Sequence, residues 1–172
     1  MPETRTIITV THPQYWIIDR DLLPESEPSW YRGFNGLVSA HGSFAIVMTG
    51  TAAGYVRLTI DPLGSEPELL TADWDEVVEV SLWFEELGAV TTEGCEGLED
   101  APPLAASPGS YRVRVHARGR DRGRERGSVW DSPVEEHLVQ AWPAPPSAEV
   151  CHKLTDAYGA NFRALRHSQQ TS

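Results

Sequence analysis

The sequence predicts a mostly β domain: an antiparallel β-sandwich, or an open barrel, of about eight strands with one C-terminal helix. Short runs of β-branched and aromatic residues recur along the chain, and turn-forming residues separate them. A clear helical periodicity occurs only near the end. With 172 residues the chain has the length of one domain, which we place at residues 1–165, followed by a flexible tail at 166–172.

The first half of the chain contains five predicted strands. They cover residues 4–11, 14–19, 36–40, 43–49 and 55–60. The third and fourth are expected to form a hairpin that turns at His41 and Gly42. In the fifth, Val56, Leu58 and Ile60 alternate with polar residues, so they should face the core. A polar, proline-containing loop is expected over residues 20–33.

The second half contains predicted strands over residues 76–84, 111–117 and 136–142, with a short one at 89–92. The strand at 111–117 has the most regular alternation. Its apolar positions are Tyr111, Val113, Val115 and Ala117, and its alternate positions are Arg112, Arg114, His116 and Arg118. One apolar and one cationic face predict a half-buried antiparallel strand. Residues 118–135 are expected to be a long polar loop.

The predicted helix covers residues 148–165, with Ser147 as its N-cap. Six apolar residues fall near one helical face: Val150, Leu154, Ala157, Tyr158, Phe162 and Leu165.

Charge is distributed unevenly along this acidic chain, whose formal net charge is −11. Residues 58–111 contain no lysine or arginine but thirteen of the 25 acidic residues. Such a segment either keeps a protein soluble or attracts a basic partner. We expect the second: a non-enzymatic protein-binding domain, of inhibitor or immunity type, that binds a basic protein through an acidic surface. The predicted partner-binding residues are Asp73, Trp74, Asp75, Glu76, Glu79 and Trp83.

An alternative hypothesis is a small-molecule-binding domain, or an enzyme, with a pocket between the sheets. It places an anionic ligand on the cationic strand face formed by Arg112, Arg114, His116 and Arg118. A third hypothesis, nucleic-acid binding through the arginine- and glycine-rich residues 118–127, is disfavoured by the net charge and by the interspersed Asp121 and Glu125. These arginines are instead expected to complement the protein's own acidic segment.

The sequence contains no motif that assigns a catalytic residue, a metal site or a cofactor. We find no G-x-S-x-G nucleophile elbow, no phosphate-binding glycine loop and no HExxH pair. Two cysteines, Cys95 and Cys151, neither form a disulfide framework nor match zinc-ligand spacing. No apolar run approaches the roughly 18 residues that span a bilayer, and no signal peptide is recognised. We therefore expect a cytoplasmic protein without membrane contact.

Two segments carry a resemblance to known proteins. Residues 109–121 read Gly-Ser-Tyr-Arg-Val-Arg-Val-His-Ala-Arg-Gly-Arg-Asp, and residues 135–143 read Glu-Glu-His-Leu-Val-Gln-Ala-Trp-Pro. They resemble segments of small actinobacterial proteins of uncharacterised function. They also resemble the β-rich competence-protein-J-like family, which is associated with inhibition of a nuclease. The resemblance implies a β-sandwich and favours an inhibitor or immunity role, and it transfers no catalytic residue.

Overall fold

The computed structural model describes residues 3–19, 34–92 and 102–170, which form eleven strands and two helices. The strands are β1 (Thr4–Val10), β2 (Gln14–Ile18), β3 (Val38–His41), β4 (Phe44–Met48), β5 (Ala53–Pro62), β6 (Glu76–Phe84), β7 (Ala89–Thr91), β8 (Gly109–Arg118), β9 (Ser128–Val129), β10 (Glu136–Pro143) and β11 (Val150–Leu154). The helices are α1 (Arg120–Arg126) and α2 (Ala157–Gln170). The expected loop at residues 20–33 and Cys95 lie outside the described residues.

The strands form two sheets. The large sheet has the order β1-β5-β10-β8-β6-β11, with β9 also paired to β5, and the small sheet has the order β3-β4-β2-β7. Both β9 and β10 run parallel to β5, so the large sheet is mixed. All other pairs are antiparallel. The predicted mostly β sandwich is confirmed, and neither sheet closes into a barrel within the described residues.

The main core lies between the two sheets. Val56, Leu58 and Ile60 of β5 are fully buried there, as their alternation predicted. They belong to the same apolar cluster as Tyr15 and Ile17 of the small sheet. Because alternate side chains of a strand point to opposite faces, each sheet contributes one face to this core.

A second apolar cluster lies on the other face of the small sheet. Ile46 and Met48 of β4 contact this cluster, and α2 contributes Tyr158 and Phe162. The rings of Tyr158 and Phe162 meet edge to face, with centroids 5.1 Å apart. The C-terminal helix therefore covers the small sheet as a third layer.

The predicted helix at residues 148–165 begins too early. Residues Val150–Leu154 form β11, which pairs with β6 around a bulge between Cys151 and Lys153. The true N-cap is Asp156, whose Oδ1 accepts a hydrogen bond from the Gly159 amide at 2.7 Å. Val150 and Leu154 misled the prediction because a spacing of four residues fits one face of a strand as well as one face of a helix.

The predicted polar loop at residues 118–135 is wrong in its first half, because residues Arg120–Arg126 form α1. Arg120 is completely buried between this helix and α2. Its guanidinium donates to both carboxylate oxygens of Asp156, at 2.6 and 2.8 Å, and to the carbonyl oxygen of Gly36 at 2.7 Å. These partners are distant in sequence, so the local charge pattern gave no sign of them.

The face of β8 that was predicted to be exposed and cationic is buried. Arg112 and Arg114 are 4% and 1% exposed, and both donate to Glu79 of β6, at 2.8 and 3.0 Å. The segment before β6 covers this side of the sheet, and Arg114 also donates to the carbonyl oxygens of Pro67 and Glu68. The prediction that β8 is buried on one face only was therefore wrong, because the segment before β6 packs over its other face.

Helix α2 reaches nearly to the end of the chain. Helix α2 extends to Gln170, so its backbone includes the start of the segment 166–172 that was expected to be a tail. Within the described parts of the chain, no helix has both the length and the apolar character needed to cross a bilayer.

Candidate functional site

A cleft of about 670 Å³ opens at one end of the large sheet. Arg57 of β5, Glu136 of β10 and Arg118 of β8 form a row across three neighbouring strands at its base, because Glu136 is in register with both arginines. Helix α1 contributes a further wall through Asp121 and Arg122. The site therefore depends on the strand register and on the position of a short helix.

The lining of the cleft is polar and predominantly acidic. Six carboxylates and three guanidinium groups line it, a formal net charge of −3. The acids are Asp73, Asp75, Asp121, Glu125, Glu135 and Glu136. The bases are Arg57, Arg118 and Arg122. An excess of carboxylates attracts cationic groups of a partner, and the arginines restrict where such groups can be placed.

Several of these carboxylates already have structural partners. Glu136 pairs with Arg118 at 2.7 Å, and the Gly119 amide donates to Asp75 at 2.9 Å. Asp121 accepts hydrogen bonds from the first two amides of α2, those of Ala157 and Tyr158, at 3.0 and 2.8 Å. This contact joins the two helices and places a negative charge at the start of α2.

Asp73 and Glu125 are the two acids of the cleft best placed for an external partner. Both are exposed, and within the described residues their carboxylates form no hydrogen bond or ion pair. A charge that has no internal partner loses less when a cation from another protein approaches it. Asp73 and Glu125 therefore provide the carboxylates of the cleft that are most accessible to another protein.

Glu135 forms the buried side of the cleft. Its carboxylate accepts hydrogen bonds from the amides of Gly50 at 3.0 Å and Thr51 at 2.8 Å, and it contacts His137 Nε2 at 2.7 Å. His137 Nδ1 lies 3.0 Å from the hydroxyl of Tyr15. Burial alone raises the pKa of Glu135, but the hydrogen bonds from His137 and from the two amides outweigh it and hold that pKa below its usual value. Glu135 is therefore a fixed, internally satisfied anion that ties the small sheet to the cleft.

The predicted acidic surface is present only in part. Asp73 and Asp75 line the cleft, and Trp74 lies beside it, with Arg118 above its ring at 5.1 Å from the centroid. Glu76 is fully buried and pairs with Arg163 of α2 at 3.1 Å. Burial, together with the nearby Asp156 carboxylate, raises the pKa of Glu76.

Two other members of the predicted set lie away from the cleft. Glu79 is 7% exposed, and its carboxylate contacts Arg112, Arg114 and His152 at 2.8–3.0 Å. Trp83 is 50% exposed, but it is eight residues beyond Asp75 along β6, about 26 Å at the rise of a strand. The structure therefore does not bring Trp83 together with Asp73 and Asp75.

The predicted anion-binding face is also divided. Arg118 lines the cleft, whereas Arg112, Arg114 and His116 are buried behind the segment that precedes β6. His116 packs against Trp74 with ring centroids 5.3 Å apart, and burial lowers its pKa to about 4. Its imidazole is consequently neutral near pH 7. Arg112 and Arg114 already donate their hydrogen bonds to Glu79.

Several cleft residues could not be predicted from local sequence patterns. Arg57, Glu135 and Glu136 come together because β10 lies between β5 and β8, and Glu125 joins them from α1. Neither the strand crossover nor the short helix has a clear local signature. In the described part of the chain, no group of three or more histidine, cysteine, aspartate or glutamate side chains converges as a metal site would require. The cleft is thus defined by charge and shape.

Comparisons with known proteins identify structural neighbours. No protein-family model matches the chain, and no curated protein matches its sequence. A solved structure described as crocagin biosynthetic gene J has a TM-score of 0.50 at 15% identity, covering 84% of this chain and all of the other. ComJ from Bacillus subtilis, an inhibitor of the DNA degrading activity of NucA, has a TM-score of 0.55 at 9% identity, covering 82% of this chain and 96% of ComJ. At these identities the similarity is one of fold.

Proposed function

We propose that this protein is a non-enzymatic inhibitor that binds a basic protein through the acidic cleft, and that the partner is a DNA-degrading nuclease. The observation that carries the proposal is the convergence of six carboxylates on one cleft, two of them exposed and without a partner among the residues that the structure describes. The fold shared with ComJ, an inhibitor of a DNA-degrading activity, adds support from a separate direction.

The chemistry of the partner follows from the cleft. A nuclease that binds DNA presents lysine and arginine side chains to phosphate groups. Carboxylates arranged at the mouth of a cleft attract the same side chains, and they speed encounter at low ionic strength. Asp73 and Glu125 would meet the cationic groups, while Arg57, Arg118 and Arg122 would exclude partners whose positive charges are differently placed. Binding there would compete with DNA for the same basic surface.

The small-molecule alternative has less support. Its three central residues, Arg112, Arg114 and His116, are buried, and the two arginines pair with Glu79. An anionic ligand would have to displace Glu79 and the segment that covers it. A cleft with a net negative lining also disfavours such a ligand.

A capture experiment followed by an activity assay tests the proposal. The immobilised chain is incubated with a lysate of the source organism at low and at moderate salt, and the bound proteins are released by raising the salt concentration. We expect a stoichiometric basic protein that degrades DNA and loses that activity as the free chain is added. A retained protein that does not degrade DNA, or a nuclease that the free chain leaves active, contradicts the proposal.

A further inference from the structure

We propose that the aromatic pair Tyr55 and Trp130, with Ile7 beside it, is the apolar anchor of the same docking surface, and that it receives an apolar side chain of the basic protein. This inference rests on the proposed function, because the partner is the protein that the acidic cleft binds. We call Ile7, Tyr55 and Trp130 the aromatic patch.

The aromatic patch is exposed and ordered by the fold. Trp130 is 55% exposed and meets the ring of half-buried Tyr55 edge to face, with centroids 5.6 Å apart. The backbone next to both rings is fixed, because Val129 pairs with Gly54. A Cβ atom at Gly54 would lie 2.0 Å from the carbonyl oxygen of Val129, and its φ is +118°, so only glycine permits this approach. The backbone on either side of the two rings is therefore held in place before any partner arrives.

The aromatic patch is continuous with the acidic cleft. Ile7 is 52% exposed and lies opposite Arg57, one of the residues that line the cleft. Tyr55 is two residues from Arg57 on the same face of β5, about 7 Å away. On the other side, the chain continues from Trp130 to Pro133 and Val134, which also line the cleft. One ligand surface can thus cover both features.

The composition of this surface is that of a binding hot spot. Tryptophan, tyrosine and arginine carry a large share of the binding energy in protein interfaces, usually near the centre and surrounded by polar groups. An exposed apolar group beside charged residues marks an interaction site more often than an isolated one does. The acidic cleft next to the rings selects the occupant: an apolar side chain flanked by lysine or arginine on a basic protein.

Photo-crosslinking at two tryptophans provides the test. The photoreactive residue p-benzoylphenylalanine replaces Trp130 in one variant and Trp83 in another, each in the full chain, and both are irradiated in a lysate of the source organism. Trp83 is a matched control because it is a tryptophan of similar exposure, 50% against 55%, at the far end of β6. We expect a covalent adduct with a basic protein at position 130 and none at position 83. We also expect Trp130→Ala to weaken binding of that protein at least about tenfold.

The other outcomes separate this inference from the proposed function. If the unmodified chain retains the basic protein but position 130 gives no adduct, or only position 83 gives one, the aromatic patch is not the anchor and the cleft remains the docking site. If Trp130→Ala binds the basic protein as tightly as the unmodified chain, the inference is equally overturned. If the unmodified chain retains no basic protein, both proposals fail.

Discussion

Arg120 is the residue on which the helical side of the molecule depends. Its guanidinium is fully buried and lies among Asp156, Glu76 and two backbone carbonyl oxygens. Removing one partner from a buried ion pair is costly because the remaining charge stays desolvated. The carboxylates of Asp156 and Glu76 already lie close enough that each affects the pKa of the other.

We expect Arg120→Ala to lower the free energy of unfolding by about 3–5 kcal/mol, because it leaves the buried Asp156 carboxylate without its cation, while Glu76 keeps only Arg163. Arg122→Ala provides the control, since Arg122 is exposed on the same helix and should change stability by less than about 0.5 kcal/mol. Urea unfolding of both variants measures the difference. Equal stabilities would show that the network around Arg120 contributes nothing.

His116 makes the stability of the protein depend on pH. Its pKa is lowered by burial to about 4 in the folded chain, against about 6.5 when unfolded. The unfolded chain therefore binds a proton first as the pH falls. The contribution of His116 is complete above about pH 6.5 and is lost progressively towards about pH 4.

Between about pH 7.5 and about pH 5, this residue should cost the folded state about 2 kcal/mol of stability. We expect His116→Phe to remove that part of the pH dependence, whatever its effect at a single pH. Urea unfolding at both pH values, for the variant and the unmodified chain, gives the comparison. Parallel losses of stability in the two proteins would show that His116 is not the titrating group.

Among the elements, α1 connects the fold to the cleft. Gly123 allows this helix to lie close to the sheet, since a Cβ atom there would be 2.6 Å from Glu135 Oε2 and 2.8 Å from the Thr51 amide nitrogen. The same helix carries Asp121, Arg122 and Glu125 into the wall of the cleft. A displacement of α1 would therefore affect stability and the site together.

We expect Gly123→Ala to destabilise the fold by about 1–3 kcal/mol, because the new methyl group overlaps backbone that cannot move freely. Gly64→Ala is the control, since a Cβ atom at Gly64 meets nothing within 4 Å. Thermal unfolding measured by circular dichroism distinguishes the two variants. A Gly123→Ala protein as stable as the Gly64→Ala protein would mean that the close packing of α1 is not required.

The sequence predicted elements well where the pattern was local. Strand β6 has the predicted bounds, and the hairpin of β3 and β4 turns at the predicted place. The prediction failed where distant partners decide the structure. The spacing of Val150 and Leu154 fitted a helix as well as a strand, and pairing with β6 makes this segment a strand. Arginine at alternate positions of β8 indicated a solvent-exposed face. Instead, Glu79 and the segment before β6 accept the hydrogen bonds of those arginines inside the protein.

In the whole molecule, the candidate site also depends on contacts between residues that are distant in sequence. Of the residues predicted from the cation-free segment, Asp73 and Asp75 line the cleft, because they lie close together in the sequence just before β6. The other half of the cleft comes from β5, β10 and α1, and it forms only when β10 inserts between β5 and β8. That insertion is a property of topology, which neither charge counting nor periodicity reveals.

The proposed function rests on electrostatic attraction between the acidic cleft and a basic protein. The most direct test is the affinity for the captured basic protein between about 50 mM and about 300 mM salt, for three proteins. They are the unmodified chain, Asp73→Asn with Glu125→Gln, and Glu85→Gln with Glu86→Gln. The last pair is the matched control, because it removes two exposed carboxylates at the far end of β6.

We expect the cleft variant to bind more weakly at low salt and to lose much of its salt dependence, while the control variant behaves like the unmodified chain. Equal effects of the two double substitutions would mean that net charge alone attracts the partner. Unchanged affinity and salt dependence in the cleft variant would contradict the assignment of the cleft as the binding site.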